Sequence, residues 1–360
     1  MDRHIIVVGA GIVGASIAYH LVQCGAKVTI LEKSSPASGA SGKSFGWINA
    51  NAAETQSYYK LRRAAIFEYL DLCERIQLDN VVNWDGSLWW EDQGQDLIDQ
   101  ANIMADYGYE AKVIDAARFA ELEPNIANPP EECIFGQIEG AAEGAEMVRL
   151  LLMEAAKYGA DVVAGCDVSG FLREGDHIQG VVTNFGKMHA DLVIVATGAW
   201  SEQLLACADI RLPMDNKTGV IVHTLPVNPT INRLILSPDI HFRQDKSGRI
   251  VMGEIFSGGG LNEATSESPV DFAQKMLLRL KERLPDVADL KVDRIMMGKR
   301  PVPLDGFPVV GVPNDVSGIY VAAMHSGITL APLIGRLVAG EVLDGEMSDL
   351  LADYRPARFG

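Results

Sequence analysis

The chain has 360 residues, 48% hydrophobic and 22% charged, the profile of a folded protein long enough for about two domains. With 31 basic against 48 acidic residues its formal charge is −17, which argues against nucleic acid or an anionic membrane surface as partner and leaves room only for local basic pockets. The five cysteines (Cys24, Cys73, Cys133, Cys166, Cys207) are scattered and lack CxxC spacing, and no apolar run reaches the roughly 20 residues of a membrane span, so the chain reads as cytoplasmic, reduced and metal-free.

The first motif is the most informative. Ile5-Ile6-Val7-Val8 runs into Gly9-Ala10-Gly11-Ile12-Val13-Gly14, and Lys27-Val28-Thr29-Ile30-Leu31 ends in Glu32. That is a strand, a tight turn, a helix closed near Gly25, and a second strand. Glycines at this spacing bring backbone N–H groups against a pyrophosphate at a helix N-terminus, and an acid closing the second strand accepts bonds from ribose hydroxyls. A carboxylate there repels a 2′-phosphate, so FAD or NAD is expected rather than NADP. The single basic residue Arg3 and the ordered glycines separate this stretch from a signal peptide.

Beyond Lys33, the small-residue loop Ser34 to Gly46 has neither helical nor strand period and follows directly on the ribose acid, where its hydroxyls and backbone can wrap a phosphate chain. Lys43 reads either as a charge beside phosphate or flavin, or as a solvated lysine. An amphipathic helix is expected from Ala52 to about Leu78, two short strands around Asp85-Gly86, and a helix from Gly94 to Tyr107. Trp84, Trp89 and Trp90 read either as core or as the wall of a pocket. A short helix ends before Pro124.

Met147 to Ala156 forms a helix closed by Gly159, followed by a parallel-type strand at Asp161–Ala164. A β-meander then spans Asp167 to Lys187 and leads to the buried run Leu192-Val193-Ile194-Val195-Ala196-Thr197-Gly198. From Arg211 to Lys299 the pattern is antiparallel again, with strands at 219–224, 240–244 and 249–253 and a helix from Val270 to Leu284. The two antiparallel stretches interrupt a nucleotide-binding core and are expected to form one further domain. The chain closes with Gly298-Lys299-Arg300-Pro301, the strand Ile319 to Met324, and His325-Ser326-Gly327-Ile328-Thr329 opening a helix to Leu343.

The glycine fingerprint, Ala37-Ser38-Gly39-Ala40-Ser41-Gly42, Ala196-Thr197-Gly198-Ala199-Trp200-Ser201, Gly298-Lys299-Arg300-Pro301 with Asp305-Gly306, and the final His-Ser-Gly-Ile-Thr occur in an order that resembles the D-amino acid oxidase family of FAD-dependent oxidoreductases, which includes glycine oxidase, sarcosine oxidase and D-amino acid dehydrogenase-like enzymes. The resemblance runs over essentially the whole chain. It implies an α/β fold: a Rossmann-like FAD-binding domain from residues 1–50, 140–210 and 298–360, with an inserted antiparallel-sheet α+β substrate domain from 51–139 and 211–297. It implies non-covalent FAD, since the Arg300 segment lacks the cysteine by which the sarcosine oxidase branch links its flavin.

The same resemblance implies site residues. Gly9, Gly11, Ile12, Val13 and Gly14 would carry the pyrophosphate, Glu32 and Lys33 the ribose end, and Ser38, Ala40, Ser41, Lys43 and Ser44 the path towards the flavin. Val168 would meet the adenine through its backbone, and Thr197, Gly198 and Trp200 would line the cofactor. Ser326, Gly327, Ile328 and Thr329 would set a helix N-terminus beside the flavin's pyrimidine edge, where the dipole favours negative charge. Arg300 would clamp a substrate carboxylate with its planar fork. His241 stands where relatives often carry a tyrosine that assists the clamp, a departure that leaves it either assistant or structural. His325 is either a cap on the sheet or a catalytic group.

The implied reaction oxidises the C–N bond of a small D-amino, N-methyl or cyclic imino acid, with hydride passing to flavin N5. The substrate is thus a carboxylate-bearing amine, and the electron acceptor is oxygen, a quinone or an electron-transfer protein. The alternatives are an NAD-dependent dehydrogenase and a flavoprotein subunit of a heteromeric dehydrogenase, which would make the chain part of an oligomer.

Overall fold

The computed structural model describes residues 3–78, 80–253 and 268–360. The apolar runs near the two ends and the middle of the chain stack as one six-stranded sheet, whose inner strands are buried on both faces while the edge strand Asp161–Ala164 is largely exposed. Its order is Val309–Gly311, Ile319–Ala323, Leu192–Val195, His4–Val8, Lys27–Glu32, Asp161–Ala164. All neighbours are parallel except the first pair. Val8 is in register with both Leu31 and Val195, so Gly9, Glu32 and Ala196 emerge together at the carboxyl edge of the sheet. In parallel α/β sheets that edge is where ligands bind.

One face of this sheet is covered by the helices Ile12–Gln23, Gly144–Lys157 and Gly327–Asp344. The first and last of these meet closely at Gly335, where a Cβ would stand 2.2 Å from Ser16 Oγ. The other face carries the antiparallel meander Val168–Glu174, His177–Thr183 and Gly186–His189, which shares a second apolar core with Leu31, Val193 and Val321.

The second large sheet has eight strands in the order Val292–Arg300, Lys217–Thr224, Ile250–Gly253, His241–Gln244, Leu234–Leu236, Ser87–Trp89, Glu132–Gly136, Ala111–Asp115. It is antiparallel throughout apart from the pairing of Leu234–Leu236 with Ser87–Trp89. The predicted helices form at Gln56–Arg75, Gln95–Asp106, Ala116–Leu122 and Pro269–Arg283. Thr55 and Ser268 cap two of them by accepting from the N–H groups of Tyr58 and Asp271, a contribution of about 1 kcal/mol each.

Two local expectations are refined. The strands on either side of Asp85-Gly86 do not pair with each other: Val82–Asn83 joins a small sheet with Gly140–Ala142 and Trp47–Ile48, while Ser87–Trp89 enters the eight-stranded sheet. Gly86, at φ 87°, turns the chain from one to the other. The strand ending at Arg300 begins at Val292, well before the motif that marked it, because it is an edge strand whose polar residues hide the alternation. Among the described residues no helix is long and apolar enough to cross a membrane, and no group of His, Cys, Asp or Glu is arranged to hold a metal.

Candidate active site

A cavity of about 1100 Å³ runs from the glycine turn to Arg300 and His325. Pockets for drug-sized ligands span roughly 300–1,000 Å³, so this one has room for a dinucleotide-sized guest. Gly9 has φ 105°, and a Cβ on it would lie 2.6 Å from Ala196 O. Gly14 is equally constrained: its Cβ would stand 2.0 Å from Gly9 O. These two glycines therefore let strand, helix and neighbouring strand converge, and Gly11 faces the cavity between them.

Glu32 is held with both oxygens engaged. Its Oε2 accepts from Ala10 N at 3.0 Å and its Oε1 from Ser34 N at 2.9 Å. Each oxygen keeps a lone pair for a hydroxyl. The loop beyond folds back over the turn: Ala37 N donates to Ala10 O, and Ser41 Oγ accepts from Ile12 N at 2.9 Å. Lys33 Nζ lies over the Trp200 ring, 4.9 Å from its centroid. Lys33, Ser38, Ala40, Ser41, Lys43, Ser44, Val168, Thr197, Gly198 and Trp200 all line the cavity.

At the other end, Ser326 adopts a left-handed conformation with φ 53° and starts the helix Gly327–Asp344 without a side-chain cap. First-turn N–H groups have no partner within a helix, so Gly327 and Ile328 present donors and the positive end of a dipole to the cavity they line. Thr329 anchors this turn by accepting from Asn49 N and donating to Trp47 O, both at 3.3 Å. Tyr69 fixes it from below through its hydroxyl bond to Ile328 O.

The wall beside that turn is basic. Arg300 ends the edge strand opposite Lys217, and its Nε would be 2.8 Å from a Cβ on Gly219, so the missing side chain there makes room for the guanidinium. Burial, reinforced by Arg300, Arg62 and Lys217, pushes His325 down to about 4. It is therefore neutral at neutral pH. Behind the wall, fully buried Glu139 accepts from Trp47 Nε1 at 2.7 Å, Ser87 Oγ at 2.5 Å and the Tyr109 hydroxyl. Burial raises its carboxyl to about 7 despite those bonds.

Of the residues singled out in the sequence, Gly14 and His241 do not line the cavity. Gly14 acts through packing. His241 is 1% exposed in a central strand, and its Nε2 lies against the carboxylate of Glu91, which does face the cavity. Strand burial thus places the histidine one layer behind the position expected for a carboxylate assistant. Arg62, Asn49, Tyr58 and Glu91 were not anticipated. Arg62 had a readable signal, since it falls on the apolar stripe of Tyr58, Ala65, Ile66 and Tyr69, all buried on the same helix.

The cavity thus joins a glycine-turn edge, a carboxylate at the end of the next strand and a distant uncapped helix start. A family model for FAD-dependent oxidoreductases, DAO, matches residues 4–341, and the chain belongs to that family. It is 29% identical to the oxidoreductase YurR of Bacillus subtilis and 24% identical to a glycine oxidase of Pseudomonas aeruginosa, the alignments covering 98% and 99% of this chain and the same shares of those proteins. Among solved structures it is similar to the L-proline dehydrogenase of P. horikoshii, with a TM-score of 0.86 and 24% identity over 99% of this chain and 98% of that one. The protein is thus an FAD-dependent enzyme with the mixed α/β fold of that group.

Proposed function

We propose that the enzyme oxidises the C–N bond of a small carboxylate-bearing amine, a D-amino, N-methyl or cyclic imino acid, to an imine that water then hydrolyses. The observation that carries this reading is the position of Arg300 beside His325 in the same cavity as the Gly9–Glu32 edge and the Ser326–Thr329 turn. FAD, when bound, supplies the acceptor for the hydride leaving the substrate carbon. Gly9, Gly11, Ile12 and Val13 would hold its pyrophosphate and Glu32 its adenosine ribose. The N–H groups of Gly327 and Ile328 would meet its electron-rich edge. The fit rests on the close approach of strand and helix that Gly9 and Gly14 permit, which leaves Gly9 and Gly11 facing the cavity, and on the uncapped helix start.

The chain's own groups do three things in this reaction. Arg300 grips the carboxylate in two-pronged fashion, which orients the reacting carbon; positioning of this kind can account for much of the barrier reduction. Arg62 and Arg300, which both line the cavity, disfavour an ammonium and so favour the neutral amine whose lone pair drives hydride departure. His325, held uncharged, offers one donor and one acceptor without adding to the positive charge. FAD would bind without a covalent link: the two cysteines in the cavity wall, Cys166 and Cys207, stand on the Glu32–Ser169 side, with Cys166 N on Glu32 O and Cys207 Sγ on Ser169 O.

Anaerobic flavin bleaching across a panel of D-amino, N-methyl and cyclic imino acids tests the reaction, and acid precipitation tests the link by releasing flavin into the supernatant. Arg300→Ala should raise KM for carboxylate substrates by about tenfold or more, the loss of a charge-assisted contact of about 1.5–3 kcal/mol, with FAD content retained. An unchanged KM removes Arg300 from the clamp.

A further inference from the structure

The helix Gln56–Arg75 buries Tyr58, Ala65, Ile66 and Tyr69, and on that same stripe it carries Arg62, only 7% exposed. A guanidinium in such a place is normally neutralised by a carboxylate, since an uncompensated buried charge costs several kcal/mol. Among the described residues Arg62 has no carboxylate within ion-pair distance. Its partners are neutral oxygens: Nε donates to Asn49 O at 3.1 Å, Nη1 to Asn51 O at 3.0 Å, and Nη2 to Asn49 Oδ1. Glu54 lines the same cavity but is exposed and makes no ion pair with it.

Arginine has five N–H donors in a planar fork, so one hydrogen on each terminal nitrogen is left over. Arg62 lines the cavity, and it acts on His325 together with Arg300 and Lys217. The buried carboxyl of Glu139 acts on Arg62 through space but forms no hydrogen bond with it. A substrate with a single carboxylate on Arg300 leaves those two terminal hydrogens of Arg62 without an acceptor.

We propose that Arg62 is a specificity-determining residue that selects amine substrates bearing a second carboxylate. The proposal rests on the reading of this cavity as an amine-acid site. Asn49 and Asn51 hold the fork in place, and the second carboxylate completes its contacts. Because Asn49 also donates to Thr329, the fork is tied to the helix start at the cofactor end of the site.

The test uses FAD-loaded enzyme and isothermal titration with malonate, succinate and glutarate against acetate and propionate, which separates binding from turnover. The best dicarboxylate should bind at least tenfold more tightly than either monocarboxylate. Arg62→Gln should bring that ratio close to one while weakening acetate much less. Should R62Q not fold, Arg62→Lys, which keeps the charge but not the fork, must lower the same ratio. Equal binding of the two classes by wild type, or a ratio that survives R62Q or R62K, overturns the assignment. Anaerobic bleaching with D-aspartate, D-glutamate and iminodiacetate against glycine, D-alanine and sarcosine separates the two readings. A dicarboxylate preference in an enzyme that no amine reduces overturns the amine-oxidation reading alone. Reduction by both classes without preference overturns the Arg62 assignment alone.

Discussion

Replacing Glu32 with alanine removes one carboxylate and two different kinds of contact. In the protein itself, Ala10 N and Ser34 N lose acceptors at 3.0 Å and 2.9 Å. Hydrogen bonds to charged groups contribute about 1.5–3 kcal/mol each; with the exposed Ser34 bond at the lower end, the cofactor-free protein should lose roughly 3–4.5 kcal/mol. The cofactor loses its ribose acceptor as well. One bond of that strength corresponds to a Kd for FAD raised about ten- to hundredfold. The two losses are separable: calorimetry of the cofactor-free protein reads the first, and titration with FAD, followed by quenching of flavin fluorescence, reads the second. A folded E32A protein that binds FAD within threefold of wild type would refute the ribose assignment, whatever its melting temperature.

Other substitutions isolate single features. Gly14→Ala should abolish soluble folded protein, because its Cβ would sit 2.0 Å from a backbone oxygen that cannot move aside, whereas Gly345→Ala, at φ 74° with open space around it, should cost only about 1–2 kcal/mol; comparing expression and thermal melts of the two checks this. Stability should also fall as pH drops from 6.5 towards 4. Burial pushes His20 to about 3 and His223 and His325 to about 4, so the unfolded chain takes up protons in that window that the folded one refuses. Glu139 works in the opposite sense: its carboxyl is raised to about 7, and the stability it contributes below pH 4.5 is lost as pH rises through 7. Calorimetry from pH 4 to 7.5 on wild type, His20→Gln and Glu139→Gln should show the acid-side fall flattened in the first variant and the loss between 4.5 and 7 flattened in the second. An unaltered profile in both would contradict these assignments.

Much of this molecule was legible in its sequence, and the readable parts share a property: they depend on neighbours a few residues apart. Gly9, Gly11 and Gly14 need only the adjoining strand and helix to state their purpose, and Glu32 closes the next strand of the same unit. The helix periods are equally local, although the caps Thr55 and Ser268 were not read from them. The motif at Ser326–Thr329 was visible because a strand, a glycine and a helix follow each other directly.

What escaped depends on contacts between distant segments. The strand Val292–Arg300 was not anticipated before Gly298, because an edge strand satisfies only one side and tolerates polar residues on both faces. His241 stood in a suggestive motif, yet the sheet flanks it on both sides and Glu91 comes between it and the cavity. Arg62 falls on the buried stripe of its helix, but the contacts with Asn49 and Asn51 that hold it there exist only in the folded chain.

The sequence by itself thus determined the glycine turn and the acid that ends the next strand, since both are specified by backbone geometry within one strand–helix–strand unit. Only the tertiary structure decided the charge around His325. Arg62, Lys217, Arg300 and His325 come from different elements, and the electrostatics that hold His325 neutral exist only once packing brings them together and removes the water between them.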